Sequence, residues 1–342
     1  MENSHLSDNS IHDEFISIII PAYNEASAIE YSLKKISSIL FGANIRHEII
    51  VIDDGSIDHT FKVLQDLRSE ISTLKAIRFS RNFGKEAALL AGLKASTGDA
   101  VITMDSDLQH PPETIIPLLN KWRNGYKIVR AVKESRKYDS VFVQWRAALF
   151  NYIFTKFGGI NLKDSSDFIL MDRIAKDIVV NRLPERKRFY RGLVHWIGYD
   201  QAVVHFKVAE RWDKGQSKWS LSMLFNLATT ALVSFSSMPL RIITGLGIIV
   251  LCIGLLIGID ALISWYLGNA ISGFATTVGT ILIIGSFIMI SLGIIGEYLA
   301  KIYDEIKARP ISIIQDTIGF ETQFPHRSNH DGSVSFVNNS TS

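Results

Sequence analysis

Two aspartates one residue apart, Asp105 and Asp107, follow the apolar run Ala100–Met104 (AVITM). On a turn leaving a buried strand, carboxylates at that spacing can converge on one small volume. The chemistry this suits is binding of Mg²⁺ or Mn²⁺, hard cations that take one or two protein carboxylates and fill the remaining positions with substrate phosphates and water. The same residues also read as an acidic loop capping a helix that starts near Pro112. A second acidic cluster, Asp53-Asp54-Gly55-Ser56 followed by Asp58 and Thr60, closes another apolar run. Adjacent acids at a strand end repel each other, a cost that turn formation does not require, although Asp58 or Thr60 also fits a helix N-cap. Tyr23-Asn24-Glu25 adds an aromatic face and hydrogen-bonding groups suited to a nucleobase.

Positioning these clusters takes short strands alternating with helices. Phe15–Ile20, ended by Pro21, then Glu48–Ile52, Leu74–Phe79, Ala100–Met104 and Lys127–Val132 read as strands. Ala26–Leu40, Thr60–Ile71, Lys85–Ala95 and Glu113–Arg123 carry helical periodicity between them. Strands apolar throughout and alternating with helices imply an α/β domain with a largely parallel sheet covered on both faces. In such sheets ligands gather at the carboxyl ends of the strands, where all three polar clusters fall.

The chain has 342 residues, 36 Lys+Arg against 34 Asp+Glu, and 47% hydrophobic residues, with a mean hydropathy of +0.18. A formal charge of +2 excludes the basic footprint of a dedicated nucleic-acid binder. The single cysteine, Cys252, excludes an intramolecular disulfide framework and a Cys-rich zinc site. The apolar excess lies at 242–263 and 274–295, where Asp260 is the only charged side chain between Arg241 and Glu297. Each run is roughly 22 residues, about 33 Å of helix, which matches a bilayer core. Two buried core helices are the alternative, though helices of soluble proteins are usually nearer about 12 residues and show a polar face. Arg241 precedes the pair and Lys301, Lys307 and Arg309 follow it, while the connecting loop has no Lys or Arg; the positive-inside rule then puts both ends in the cytoplasm. The expected division is a disordered tail at 1–14, a cytoplasmic α/β domain at 15–216, interfacial helices at 217–241, the two-helix hairpin, and a cytoplasmic tail at 296–342.

Taken in order, Ile20-Pro21-Ala22-Tyr23-Asn24-Glu25, Val51-Ile52-Asp53-Asp54-Gly55-Ser56, Arg81-Asn82-Phe83-Gly84-Lys85-Glu86 and Asp105-Ser106-Asp107 resemble an inverting family 2 glycosyltransferase of GT-A fold. The likeness continues through Leu183-Pro184-Glu185-Arg186, Arg188-Phe189-Tyr190-Arg191-Gly192-Leu193, Gly215-Gln216-Ser217-Lys218, Gly296-Glu297-Tyr298 and Ile302-Tyr303-Asp304-Glu305. It is similar to the bactoprenol (undecaprenyl-phosphate) glucosyltransferase and dolichol-phosphate mannose synthase group, from about Phe15 to Pro310. The resemblance implies a GT-A domain followed by a transmembrane hairpin in a bacterial inner membrane, with transfer of one sugar from a nucleotide-sugar, UDP-glucose first, to a polyprenyl phosphate. UDP-galactose, an amino sugar or GDP-mannose would use the same phosphate and metal chemistry. The implied donor residues are Pro21, Tyr23, Glu25, Asp53, Asp54, Lys85 and Asp105. Asp107, with Asp105, would hold Mg²⁺ or Mn²⁺. Asp164-Ser165-Ser166-Asp167-Phe168 resembles a family segment usually written D-S-G-D-F, with Ser166 where Gly is common. It implies Asp167, then Asp164, as the acids nearest the reaction.

A lipid monophosphate has a second pKa of about 6 and is mostly dianionic at neutral pH. Such a nucleophile needs cations more than a base, so Asp167 is expected to orient groups as much as to take a proton. Arg130, Lys133, Arg136, Arg188, Arg191, Arg211 and Lys218 are the expected acceptor-phosphate cations, each also readable as a solvated surface charge. As further partners the resemblance allows a second copy of the chain, a downstream flippase and a glycan-modifying transferase, and no nucleic acid. A processive polysaccharide synthase would carry Gln-x-x-Arg-Trp; Gln144-Trp145-Arg146 has a different spacing. An inactive membrane scaffold is the other class, against which the intact Asp53, Asp105, Asp107 and Asp167 argue.

Overall fold

The computed structural model describes residues 14–107, 109–134, 167–186, 188–207 and 273–320, with scattered positions between 243 and 267. Apolar, β-branched segments make the sheet. β1 (Phe15–Ala22), β2 (Arg46–Asp53), β3 (Leu74–Phe79) and β4 (Ala100–Thr103) lie in the order β3-β2-β1-β4 and are all parallel. Their side chains are buried on both faces, as a covered parallel sheet requires. β1 runs through Pro21 rather than stopping there. β4 ends opposite Ile19, so the N–H that proline lacks falls where β1 has a neighbour on one side only.

Helices cover both faces. On one, α1 (Ile29–Gly42) buries Ile29, Leu33, Ile36 and Leu40, a single helical stripe, and α2 (Thr60–Leu67) and α4 (Ile115–Arg123) complete the layer. On the other, α3 (Lys85–Ala95) is made mainly of alanine, leucine and glycine and lies very close to β1: a Cβ at Gly92 would stand 2.4 Å from Ile19 Cγ2.

Beyond β5 (Ile128–Lys133) the sheet ceases to be parallel. β6 (Ile169–Asp172) inserts between β4 and β5 and runs against both, and β7 (Gln201–Phe206) extends the sheet beside β5. α5 (Arg173–Asn181) starts on Asp172, whose Oδ1 accepts from Ile174 N–H at 3.0 Å; α6 (Tyr190–Trp196) follows. Asp172 thus caps α5 with its own side chain. Asp164 lies outside the described residues.

The C-terminal part departs further from expectation. α7 (Phe274–Ile306) starts where the second apolar run does but continues eleven residues past Ile295. Residues 296–342 are thus not a simple tail: β8 (Ile314–Ile318) rejoins the sheet antiparallel to β3, with Ala76 opposite Ile318. Among the described residues one segment, Ile284–Ile306, is long and apolar enough to cross a membrane, and none of it is buried. A shorter apolar helix, Gly245–Gly254, falls inside the first expected run. The expected interfacial segment 217–241 lies outside the described residues.

Candidate active site

The carboxyl ends of β1, β2 and β4 open on one edge, and β6 brings a fourth contribution there. Because β6 is reversed, the residues before it, Asp167 and Phe168, arrive at the edge where β4 hands over to Met104 and Asp105.

The loops after β1 and β2 are stitched together. Asn24 N–H donates to Ser56 Oγ at 2.9 Å, Ile57 N–H to Asn24 Oδ1 at 3.0 Å, and Glu25 N–H to Thr60 Oγ1 at 2.9 Å. Tyr23 is exposed above them, with Pro21 and Glu25 half-buried beside it. Asp53 is fully buried; its Oδ1 accepts from Ser56 N–H at 2.9 Å and its Oδ2 lies 3.5 Å from Arg78 Nε. Asp54 changes its expected role. Its carboxylate accepts from Phe83 N–H at 2.7 Å and Gly84 N–H at 2.9 Å, so it anchors the turn that launches α3 instead of standing open to a donor. Burial pushes its carboxyl above the usual range against the opposing pull of those N–H groups. Gly55 makes the close approach feasible: at φ +68° a Cβ would sit 2.3 Å from the Arg81 carbonyl carbon.

That turn delivers Lys85, whose ammonium lies 2.5 Å from Asp105 Oδ1 and 2.7 Å from Asp167 Oδ2. Arg191, on α6, grips Asp167 from the other side in a fork: Nε to Oδ1 at 2.6 Å and Nη2 to Oδ2 at 2.8 Å. Burial alone would raise the Asp167 carboxyl, but Arg191 and Lys85 outweigh it and hold it well below the carboxylate range. Burial likewise works against the charge on Lys85, and Asp105 and Asp167 overcome it.

Residues that the sequence reading gave no role support this cluster. Thr103 Oγ1 donates to the Asp167 carbonyl at 2.6 Å and lies 3.1 Å from the Tyr190 hydroxyl. Glu86 accepts from Tyr190 N–H at 2.8 Å, and burial pushes its carboxyl up to about 7. His110 accepts the Asp105 N–H at Nδ1 (3.1 Å) and stacks on Phe168 with ring centroids 5.0 Å apart. Burial lowers its pKa, so the ring is neutral and orders the turn by hydrogen bonding rather than by charge. Glu86 and Tyr190 stand inside motifs already conspicuous in the sequence, but only their contacts give them a function.

Asp107 Oδ1 accepts from Gln109 N–H at 3.0 Å. Asp105 and Asp107 offer only hard oxygen donors, which suits Mg²⁺ or Mn²⁺. Among the described residues no group of three or more His, Cys, Asp or Glu side chains could hold a metal. The pair fits a cation that completes its shell with phosphates and water, not one enclosed by protein.

The expected acceptor cations divide. Arg191 reaches the cluster. Arg188 does not present itself as expected: its guanidinium donates to the carbonyls of Val179, Leu183 and Glu185 and so ties down the α5–α6 corner. Arg130 and Lys133 are three residues apart on β5, so strand alternation turns them to opposite faces. Arg136, Arg211 and Lys218 lie outside the described residues.

Residues 17–178 match the description "Glycosyl transferase family 2". An uncharacterized glycosyltransferase of Synechocystis sp. is 40% identical over 308 residues, covering 90% of this chain and 96% of its own. A prophage bactoprenol glucosyl transferase homolog of Escherichia coli is 36% identical over 304 residues, covering 88% and 98%. The SfII prophage-derived bactoprenol glucosyl transferase of Shigella flexneri is 37% identical over 307 residues, covering 88% and 97%. Among solved structures, glucosyl-3-phosphoglycerate synthase from Mycobacterium tuberculosis aligns with a TM-score of 0.43 at 21% identity, over 64% of this chain and 78% of that one.

Proposed function

The chain belongs to glycosyl transferase family 2, and from that premise we propose that it transfers one glucose from UDP-glucose to a polyprenyl phosphate at the cytoplasmic face of a membrane, with inversion at the anomeric carbon. The observation that carries the reading is the pairing of Lys85 with both Asp105 and Asp167. It puts an acid at the end of β4, suited to the donor, and an acid before β6, suited to the acceptor, within reach of one ammonium. Relatives named bactoprenol glucosyl transferase, matched over nearly their whole length, support the lipid class and the sugar.

In this reading the Tyr23–Glu25 loop and Asp53 receive the base and ribose. Asp105 and Asp107 would hold Mg²⁺ or Mn²⁺, which supplies charge stabilisation for the departing diphosphate. A phosphate oxygen of the lipid attacks the anomeric carbon, the bond from that carbon to the diphosphate oxygen breaks, and the electron pair leaves with UDP. A lipid phosphate that is already dianionic gives up no proton, so no general base is required. Asp167 is unsuited to be one, since its carboxyl is held far below neutrality. Its service is to orient Arg191 and Lys85, whose charges ease the approach of one anion to another. Arg136, Arg211 and Lys218 remain proposed as further acceptor cations.

The strand β8 supports two membrane crossings. It lies in the same sheet as β1, so the C-terminal end of α7 is on the catalytic side. If α7 crosses the bilayer, the chain must cross once more between residues 207 and 273 to get there, which is where the other apolar run lies.

The test is the purified full chain in nanodiscs, incubated with undecaprenyl phosphate, Mn²⁺ and several sugar nucleotides, with glycolipid read by mass. Undecaprenyl phosphoglucose from UDP-glucose is expected, and Asp107→Asn should lower its rate about 100-fold or more, the scale on which loss of one transition-state stabiliser is felt. Another sugar on the lipid overturns the donor assignment. No glycolipid from any donor overturns the acceptor class.

A further inference from the structure

Lys85 touches the two acids that the proposed reaction assigns to opposite substrates. Its ammonium is half-buried and fixed at both ends, 2.5 Å from Asp105 and 2.7 Å from Asp167. The backbone that carries it is fixed as well, because Asp54 holds the N–H groups of Phe83 and Gly84. The cation is therefore part of the site as built.

We propose that Lys85 is a resident counter-ion which a divalent cation has to displace from Asp105, so that the metal binds together with the donor diphosphate and not ahead of it. The inference rests on the donor reading above and concerns the order in which that site is filled.

Three observations lead there. Asp105 Oδ1 is already engaged by the ammonium, and Asp107 Oδ1 by Gln109 N–H. No third metal-ligating side chain joins them among the described residues, so the protein alone offers a sparse, partly occupied donor set. A monovalent cation and a divalent one sharing a carboxylate repel each other strongly at such distances, which subtracts directly from metal affinity.

A nucleoside diphosphate alters this balance. It supplies additional oxygen ligands for the metal and negative charge for the displaced ammonium. Lys85 need not be left unpaired when Asp105 lets go, since Asp167 keeps hold of it. Asp167 in turn has the Arg191 fork, so the acceptor side keeps its geometry through the exchange. With no donor present, the ammonium neutralises Asp105 and spares the site a naked cluster of acids.

The experiment measures Mn²⁺ binding to the full chain in nanodiscs by electron paramagnetic resonance, with and without UDP, for the wild type, Lys85→Met and Lys85→Arg. Without UDP, Lys85→Met should bind Mn²⁺ at least about tenfold more tightly than the wild type, because the competing charge is gone. Lys85→Arg, which keeps the charge, should stay within about twofold of the wild type. With UDP the gap between Met variant and wild type should narrow. Lys85→Gln serves as a second neutral variant, and thermal melting selects those that fold. Equal UDP-free affinity in wild type and neutral variants, with binding still strengthened by UDP, overturns the proposal and leaves the donor reading standing. No Mn²⁺ binding by any variant even with UDP overturns the donor reading, and this inference with it.

Discussion

Asp167 carries two cations on one carboxylate, while Glu86, nearby on α3, carries almost none. Its accepted hydrogen bond is the Tyr190 N–H, and Lys85 and Arg191 act on it only through space, opposed by Asp167. The two acids are therefore driven in opposite directions, Asp167 down and Glu86 up to about 7. An unfolded glutamate titrates near ~4.3. Between that value and about 7 the folded chain keeps a proton on Glu86 that the unfolded chain has lost, so stability falls as pH rises through this window. Glu86→Gln retains an oxygen for Tyr190 N–H and has no proton to lose. Its melting temperature relative to wild type should therefore rise from pH 5 to pH 8, equivalent to about 2–3 kcal/mol. Parallel melting curves across that range would remove Glu86 from the account.

At the scale of elements, the site depends on close approach. α3 must lie tight against β1 for its first residue, Lys85, to reach Asp105 and Asp167, and Gly92 is where helix and strand come nearest. A methyl group there meets Ile19 at 2.4 Å in a fully buried core. Gly92→Ala should destabilise the chain by about 1–3 kcal/mol through overpacking, more than helix propensity returns. Denaturant unfolding reads the loss, and pairing the change with Ile19→Ala should cost less than the two single effects summed. Additive effects would mean that Gly92 is not a contact point. The reversal of β6 matters equally: a parallel strand in that place would deliver Asp167 to the far edge of the sheet.

For the molecule as a whole, β8 links the apolar α7 back to the catalytic sheet, and Arg186 N–H adds a bond to Glu305 at 3.2 Å. In the proposed hairpin both ends of the two apolar runs lie on the catalytic side, and the link between them belongs on the other. In a Cys252→Ser background, Asn269→Cys should react with a membrane-impermeant maleimide added to intact cells, whereas Gln65→Cys on α2 should react only after the membrane is opened. Labelling of both, or of neither, in intact cells would contradict the hairpin.

The α/β class, β1 to β5 and α1 to α4 were legible in the chain because each is a local pattern: a β-branched apolar run or a helical stripe bounded by Pro, Gly or Asp. The polar clusters were legible for the same reason, each lying a residue or two past a strand. β6 and β8 are short, and β8 (IQDTI) is largely polar, so neither announces itself until a partner strand supplies the other half of its hydrogen bonds. Roles followed the same divide. Asp105 and Asp107 are read from spacing, but whether Asp54 faces a ligand or an amide, and whether Arg188 faces phosphate or carbonyl, depends on groups about 30 and 10 residues away that only folding brings near. Local sequence determines which side chains stand at the sheet edge; the reversed strand and the packing of α3 and α6 decide which charges meet there, because electrostatic pairing depends on distance in space and not along the chain.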